Sequence, residues 1–214
     1  MTRPERAAAV ITALARTYPE AHCELDHTTP LQLLVATILS AQCTDKRVNL
    51  VTPALFRTCR TAADYVALPA EQLEELIQST GFFRAKTRNI RACCAALVAH
   101  HGGEVPQTME ALTALAGVGR KTANVVLGNA FGINVGVVVD TLVQRLSRRL
   151  GLTKQTTPEK IEQDLIKLVP RAQWTDFSHW LIWHGRRRCM ARKPDCPGCE
   201  LRALCPSADK PSPN

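Results

Sequence analysis

An all-α fold is what this sequence predicts. Three observations carry the expectation: apolar residues recur at three- and four-residue spacing in nearly every segment, helix-start and helix-stop residues bracket those segments, and no stretch alternates as a strand would. With 214 residues, 45% of them hydrophobic, the chain can bury a core without disulfides.

The elements follow in chain order. Leu31, Leu34, Val35, Ile38 and Leu39 form the first clear stripe, introduced by Thr29 as N-cap, Pro30 in the first turn and Gln32 completing a capping box. Apolar nearly all round, that helix belongs at the centre of the fold. Leu73, Leu76 and Ile77 mark a second helix and Ile90, Cys94, Leu97 and Val98 a third, with Gly81 and Gly102 as stops and His100 and His101 capping the third helix's end. Leu112 and Leu115 mark a short helix. Val143, Leu146 and Leu150 mark another, closed by Gly151; the next opens at Thr157 and Pro158 and carries Ile161, Leu165 and Ile166. A last helix holds Phe177, Trp180, Leu181 and Trp183, and the Ser- and Pro-rich tail from Ser207 to Asn214 reads as unstructured.

The balance of 27 Lys and Arg against 19 Asp and Glu, a net charge of +8, favours a polyanionic partner. Nine cysteines would fit a secreted disulfide protein, but the opening Met1, Thr2, Arg3, Pro4, Glu5, Arg6 leads into no signal-peptide core, which points to a reducing compartment. The apolar run from Ala123 to Val139 is broken by Asn124, Asn129, Asn134 and three glycines, unlike a membrane span.

Two constellations can carry chemistry. Cys189, Cys196, Cys199 and Cys205 are separated by six, two and five residues, and such crowding implies a metal; sulfur-only ligation suits tetrahedral zinc or an iron-sulfur cluster, and the spacing alone does not separate them. Cys23, Cys43, Cys59, Cys93 and Cys94 read as small core or surface residues. The second constellation is Gly117, Val118, Gly119, Arg120, Lys121 and Thr122, a glycine turn before a helix start, whose open amides and dipole can bind phosphate without reading bases. A plain helix connection is the alternative. Asp140, after Val137, Val138 and Val139, reads locally as an N-cap. Arg186, Arg187, Arg188, Arg192 and Lys193 form a basic run around the first cysteine of the cluster, either a solvated face or a phosphate grip. His22, His27, His100, His101, His179 and His184 form no catalytic set, and His184 reads as a satisfied buried histidine.

Together, the hairpin with Lys121, the Val139, Asp140, Thr141 step, the cysteine spacing and the segment Leu39, Ser40, Ala41, Gln42, Cys43, Thr44, Asp45 resemble the endonuclease III family of DNA glycosylases, over the span from Leu33 to Cys205. The resemblance implies a [4Fe-4S] cluster on the four cysteines and two helical lobes with DNA crossing the cleft between them. One lobe, residues 22–134, is expected to be a six-helix barrel with a helix-hairpin-helix at about 108–131; residues 1–21 and 135–214 make a discontinuous cluster domain.

By the same resemblance Lys121 is the nucleophile, a role that needs an uncharged amine and a partly desolvated setting, and Asp140 is the catalytic carboxylate. Gln42 and Phe82, with Phe83 beside it, fill the gap left by an extruded nucleotide. Gly117, Gly119, Arg120, Arg192 and Lys193 contact DNA. The implied activity is a bifunctional glycosylase and lyase that removes oxidised pyrimidines from duplex DNA and cleaves at abasic sites, as a monomer in a bacterial cytoplasm, associated with the nucleoid. A monofunctional mismatch glycosylase and a non-catalytic helix-hairpin-helix DNA-binding protein are the competing readings. Leu142 departs from the family, which usually has histidine there.

Overall fold

Capping chemistry explains where most of the helices begin. The computed structural model describes residues 1–208 and 210. Among them every regular element is helical: α1 spans Arg3–Thr17, α2 Pro30–Leu39, α3 Asp45–Thr58, α4 Ala62–Ala67, α5 Ala70–Ile77, α6 Phe83–His101, α7 Met109–Thr113, α8 Arg120–Phe131, α9 Thr141–Arg149, α10 Pro158–Leu165 and α11 Trp174–Arg187, with short 3-10 turns at Gln78–Thr80, Arg171–Gln173 and Arg202–Leu204. The all-α expectation is met. The expectation of an unstructured tail lies, at 209 and 211–214, outside the described residues.

Thr2 and Glu5 close a capping box on α1, and Thr61 and Asp64 another on α4. Thr29 caps α2, its hydroxyl accepting from the Gln32 N–H at 3.2 Å. The expected return bond is different: Gln32 Oε1 accepts from the N–H and hydroxyl of Thr28, at 2.8 and 2.9 Å, instead of from Thr29. Thr28 offers that one oxygen two donors, which the Thr29 N–H alone cannot match. All three predicted stops, Gly81, Gly102 and Gly151, have positive φ, as a helix exit through the left-handed region requires. The sequence reading did not resolve α3 or α4; in α3 the buried stripe of Val48, Val51, Thr52 and Leu55 is interrupted in sequence by Pro53, which the helix accommodates in its interior.

The chain divides into two units, Cys23–Ile133 and Met1–His22 with Asn134–Asn214. In the first, α2 is central: residues 33 to 39 are all buried, and the helix packs on α3, α6 and α8. Leu33, Leu55, Leu73, Ile90, Leu112 and Leu127 are fully buried in this unit, each worth about 1.5–3 kcal/mol of transfer free energy. The core, rather than helix propensity, therefore sets where its loops lie.

In the second unit α11 packs on both α1 and α9, so the first helix of the chain shares a core with the last. Val10, Leu14, Leu146, Ile161, Phe177 and Leu181 meet there. Among the described residues no helix is long and apolar enough to cross a membrane.

Candidate functional site

In the first unit, α7 and α8 pack on one another and form a hairpin through Ala114–Gly119. Gly117 has φ +76, and a Cβ there would come 2.9 Å from Cβ of Asn89 on α6, so backbone conformation and space both require glycine. Gly119 is the N-cap of α8 and supplies no side-chain cap. The first turn of α8 therefore gets no cap from residue 119, and no acidic residue stands in it, a setting that suits an anion. Arg120 and Lys121 are exposed on it. The exposure of Lys121 departs from the partly desolvated setting expected of it, because a glycine cap places no side chain over the turn.

Among the described residues two non-glycine positions have positive φ, Gln42 at 52° and Phe82 at 48°. Both are exposed, Phe82 to 67%, and Phe82 lies with Phe83, Arg84 and Arg88 along an open pocket. A large apolar side chain held outward in a left-handed conformation is costly without a ligand to meet it. Near both loops lies Lys86, 4% exposed, whose Nζ donates to the carbonyls of Leu39 at 2.7 Å and Thr80 at 2.8 Å. Burial lowers its pKa.

In the second unit, Asp140 is the N-cap of α9, and its Oδ1 accepts from the Val143 N–H at 2.8 Å. The cap holds the carboxylate in one orientation and engages one of its two oxygens. Leu142 does not stand free in solvent; its Cδ2 lies 3.2 Å from where a Cβ on Gly185 of α11 would be. It is part of the packing of α9 on α11.

Cys189, Cys196, Cys199 and Cys205 line one cavity with Leu146, Leu201 and His184. Arg149 Nη1 donates to Cys189 Sγ at 3.1 Å, Arg145 Nη2 donates to the Cys189 carbonyl at 2.7 Å, and burial raises the pKa values of the Cys199 and Cys205 thiols. Yet among the described residues no three His, Cys, Asp or Glu side chains are grouped so as to hold a single metal ion. His184 is buried, with Nδ1 3.0 Å from the Tyr18 hydroxyl and Nε2 3.5 Å from Cys199 Sγ; burial pushes its pKa down to about 4, so the neutral ring is a structural partner.

The basic run divides. Arg188 is paired with Asp195 at 2.8 Å and Glu200 at 3.1 Å, and the Arg187 guanidinium stacks 3.8 Å from the Trp183 ring centroid. Arg192 and Lys193 are exposed. Charge counting along the sequence could not tell these apart, because the neutralising acids lie on the far side of the loop.

The predicted residues thus fall into two sets, Gln42, Phe82, Gly117, Gly119, Arg120 and Lys121 in one unit and Asp140, the four cysteines, Arg192 and Lys193 in the other. Sequence reasoning missed Lys86, Asn89, Arg145 and Arg149. Lys86 left a signal, since it falls on the apolar stripe that continues through Ile90, Cys93, Cys94 and Leu97, all buried; a charge on such a stripe needs partners.

Residues 35–171 match the model of the HhH-GPD superfamily base excision DNA repair proteins. The chain is 56% identical to an endonuclease III of Synechocystis sp. over 97% of its own length and 94% of the relative's. It is 43% identical to the endonuclease III of Bacillus subtilis, over 90% and 88% respectively. The fold matches a solved non-covalent endonuclease III–DNA complex with a TM-score of 0.93 at 44% identity, over 98% of both chains.

Proposed function

Because the chain belongs to the endonuclease III family of HhH-GPD base excision DNA repair proteins, and is a DNA glycosylase of that kind, we propose that Lys121 is its nucleophile and Asp140 its catalytic carboxylate, acting on oxidised pyrimidines in duplex DNA. The observation that carries the reading is the hairpin: Gly117 and Gly119 open the first turn of α8 to phosphate, and Lys121 stands exposed on that same turn. Backbone amides grip the strand without reading its sequence, which suits an enzyme that must act wherever damage occurs.

The Lys121 amine attacks the sugar C1′, the N–C1′ bond forms, and the bond from C1′ to the base breaks as the base leaves with its electron pair and takes up a proton. Asp140, fixed by its cap, accepts the amine proton and stabilises the positive charge that develops at the sugar. Loss of the second amine proton then opens the sugar ring, the C1′–O4′ bond breaking as O4′ takes up a proton, and the Schiff base so formed acidifies C2′; removal of a C2′ proton drives β-elimination, in which the 3′ C–O bond breaks and the phosphate leaves with its electron pair.

The four cysteines are proposed to hold a [4Fe-4S] cluster. Four thiols lining one cavity make a sulfur-only donor set, which fits iron-sulfur ligation. The Arg149 guanidinium against Cys189 Sγ offsets the charge of the thiolates. Cys189, Cys196, Cys199 and Cys205, holding such a cluster, would tie residues 189–205 into a fixed loop, and Arg192 and Lys193 would then be held at low entropic cost where they can meet phosphates.

Borohydride reduction of enzyme mixed with a thymine-glycol duplex tests the proposal. A covalent adduct is expected, and Lys121→Gln abolishes it. An adduct that survives that substitution, or none in the parent, overturns the assignment.

A further inference from the structure

We propose that Lys86 is a positioning residue that clamps together the two loops bearing Gln42 and Phe82 and holds both side chains aimed for insertion into DNA. The inference rests on the reading of Gln42 and Phe82 as the residues that fill the space left by an extruded nucleotide.

Lys86 Nζ donates to Leu39, the last residue of α2, and to Thr80, the last residue of the 3-10 turn after α5. Both acceptors are C-terminal carbonyls that their own helices leave without an intrahelical N–H, and both lie at the negative end of a helical segment. A buried cation is stable only where such groups replace its water. Gln42 follows Leu39 by three residues and Phe82 follows Thr80 by two, and among the described residues these are the two non-glycine positions with left-handed backbone. Strained conformations of this kind persist where the surroundings over-determine them.

The clamp also reaches the phosphate-binding turn. One helical turn after Lys86, Asn89 lies against Gly117. A single rigid helix, α6, thereby fixes the positions of both insertion loops and the hairpin that grips the backbone. A shape so set can enter the stack without first ordering its loops, which lowers the cost of extrusion.

The test compares Lys86→Met with the parent in the full-length, metal-loaded enzyme. Amide exchange at residues 41–43 and 81–83 is expected to accelerate at both loops. The fluorescence rise of 2-aminopurine placed opposite a tetrahydrofuran abasic analogue, which reports unstacking, is expected to fall by at least half, and base release from a thymine-glycol duplex to slow by about 10- to 100-fold. Strand cleavage of a single-stranded abasic oligonucleotide, where nothing is extruded, is expected to change by less than about twofold, whereas general misfolding would lower both activities together. Unchanged exchange at both loops, or equal losses on the two substrates, overturns the clamp. Gln42→Ala and Phe82→Ala separate the two readings. If they unstack 2-aminopurine like the parent, the insertion reading fails; if they do not and Lys86→Met does, the clamp alone fails. Should Lys86→Met not fold, Lys86→Arg decides, since its longer planar fork keeps the charge but cannot meet both carbonyls in the same geometry. Loosened loops with a several-fold loss of unstacking support the clamp, and parent-like behaviour overturns it.

Discussion

The Cβ of Asn89 occupies the space that a side chain at Gly117 would need, since a Cβ built there would come within 2.9 Å of it. Gly103 also has positive φ, but nothing lies within 4 Å of its missing Cβ. Gly103→Ala is therefore expected to cost about 1–2 kcal/mol for the backbone alone, and Gly117→Ala about 1–3 kcal/mol more for overpacking, with a loss of duplex affinity only in the second. Denaturant midpoints and duplex titrations measure both. Equal losses would mean that Asn89 gives way.

Asp140 both caps α9 and is the proposed carboxylate, and two substitutions separate those tasks. Asparagine caps as well as aspartate, so Asp140→Asn should melt like the parent while base release slows about 10²- to 10³-fold. Asp140→Ala should lose the same activity and about 1 kcal/mol of stability as well. Single-turnover kinetics beside thermal melts decide it, and parent-like base release in Asp140→Asn would leave the residue with a capping role only.

Salt dependence tests the division of the basic run. Replacing Arg192 and Lys193 together by glutamine should flatten the log-log salt dependence of binding to undamaged duplex by about two phosphate contacts. Arg188→Gln should leave the slope alone, because Asp195 and Glu200 already neutralise that guanidinium. The reverse pattern would place the grip on the wrong cations.

Metal analysis separates the two chemistries that four thiols permit. Protein purified without oxygen is expected to be brown, with about four irons and about four acid-labile sulfides per chain. Stoichiometric zinc with no sulfide would count against the cluster.

Leu142 packs towards Gly185, so Leu142→His exchanges an apolar contact for a polar group near the Asp140 cap. A modest loss of stability, on the order of 1 kcal/mol, is expected together with faster base release and an unchanged order of preferred lesions, since contacts to the strand carry little sequence information. Unaltered or slower release would show that packing on α11 is the residue's whole contribution.

Much of this molecule could be read without coordinates. Thr29, Asp140 and Gly102 act on backbone within a few residues of themselves, so the spacing that marks a helix end also states its cause. Where the local pattern was interrupted, as by Pro53 in α3, the reading failed, because there burial of Val48, Val51 and Leu55 outweighs the lost backbone bond. The exposure of Lys121 could not be read either, since it depends on what does not cover the turn after Gly119.

The sequence by itself determined the helical class, the crowding of four cysteines and the hairpin, because capping, glycine conformation and residue spacing work over a handful of residues. Only the tertiary structure decided that Lys86 would hold two carbonyls, one of them 47 residues away, that Arg149 would reach Cys189 across 40, and that Tyr18 would meet His184 across 166. Such pairs form when separate helices bury their apolar faces together. The polar group each one strands in the core then takes whatever partner the packing brings within reach, and no spacing along the chain encodes which partner that is.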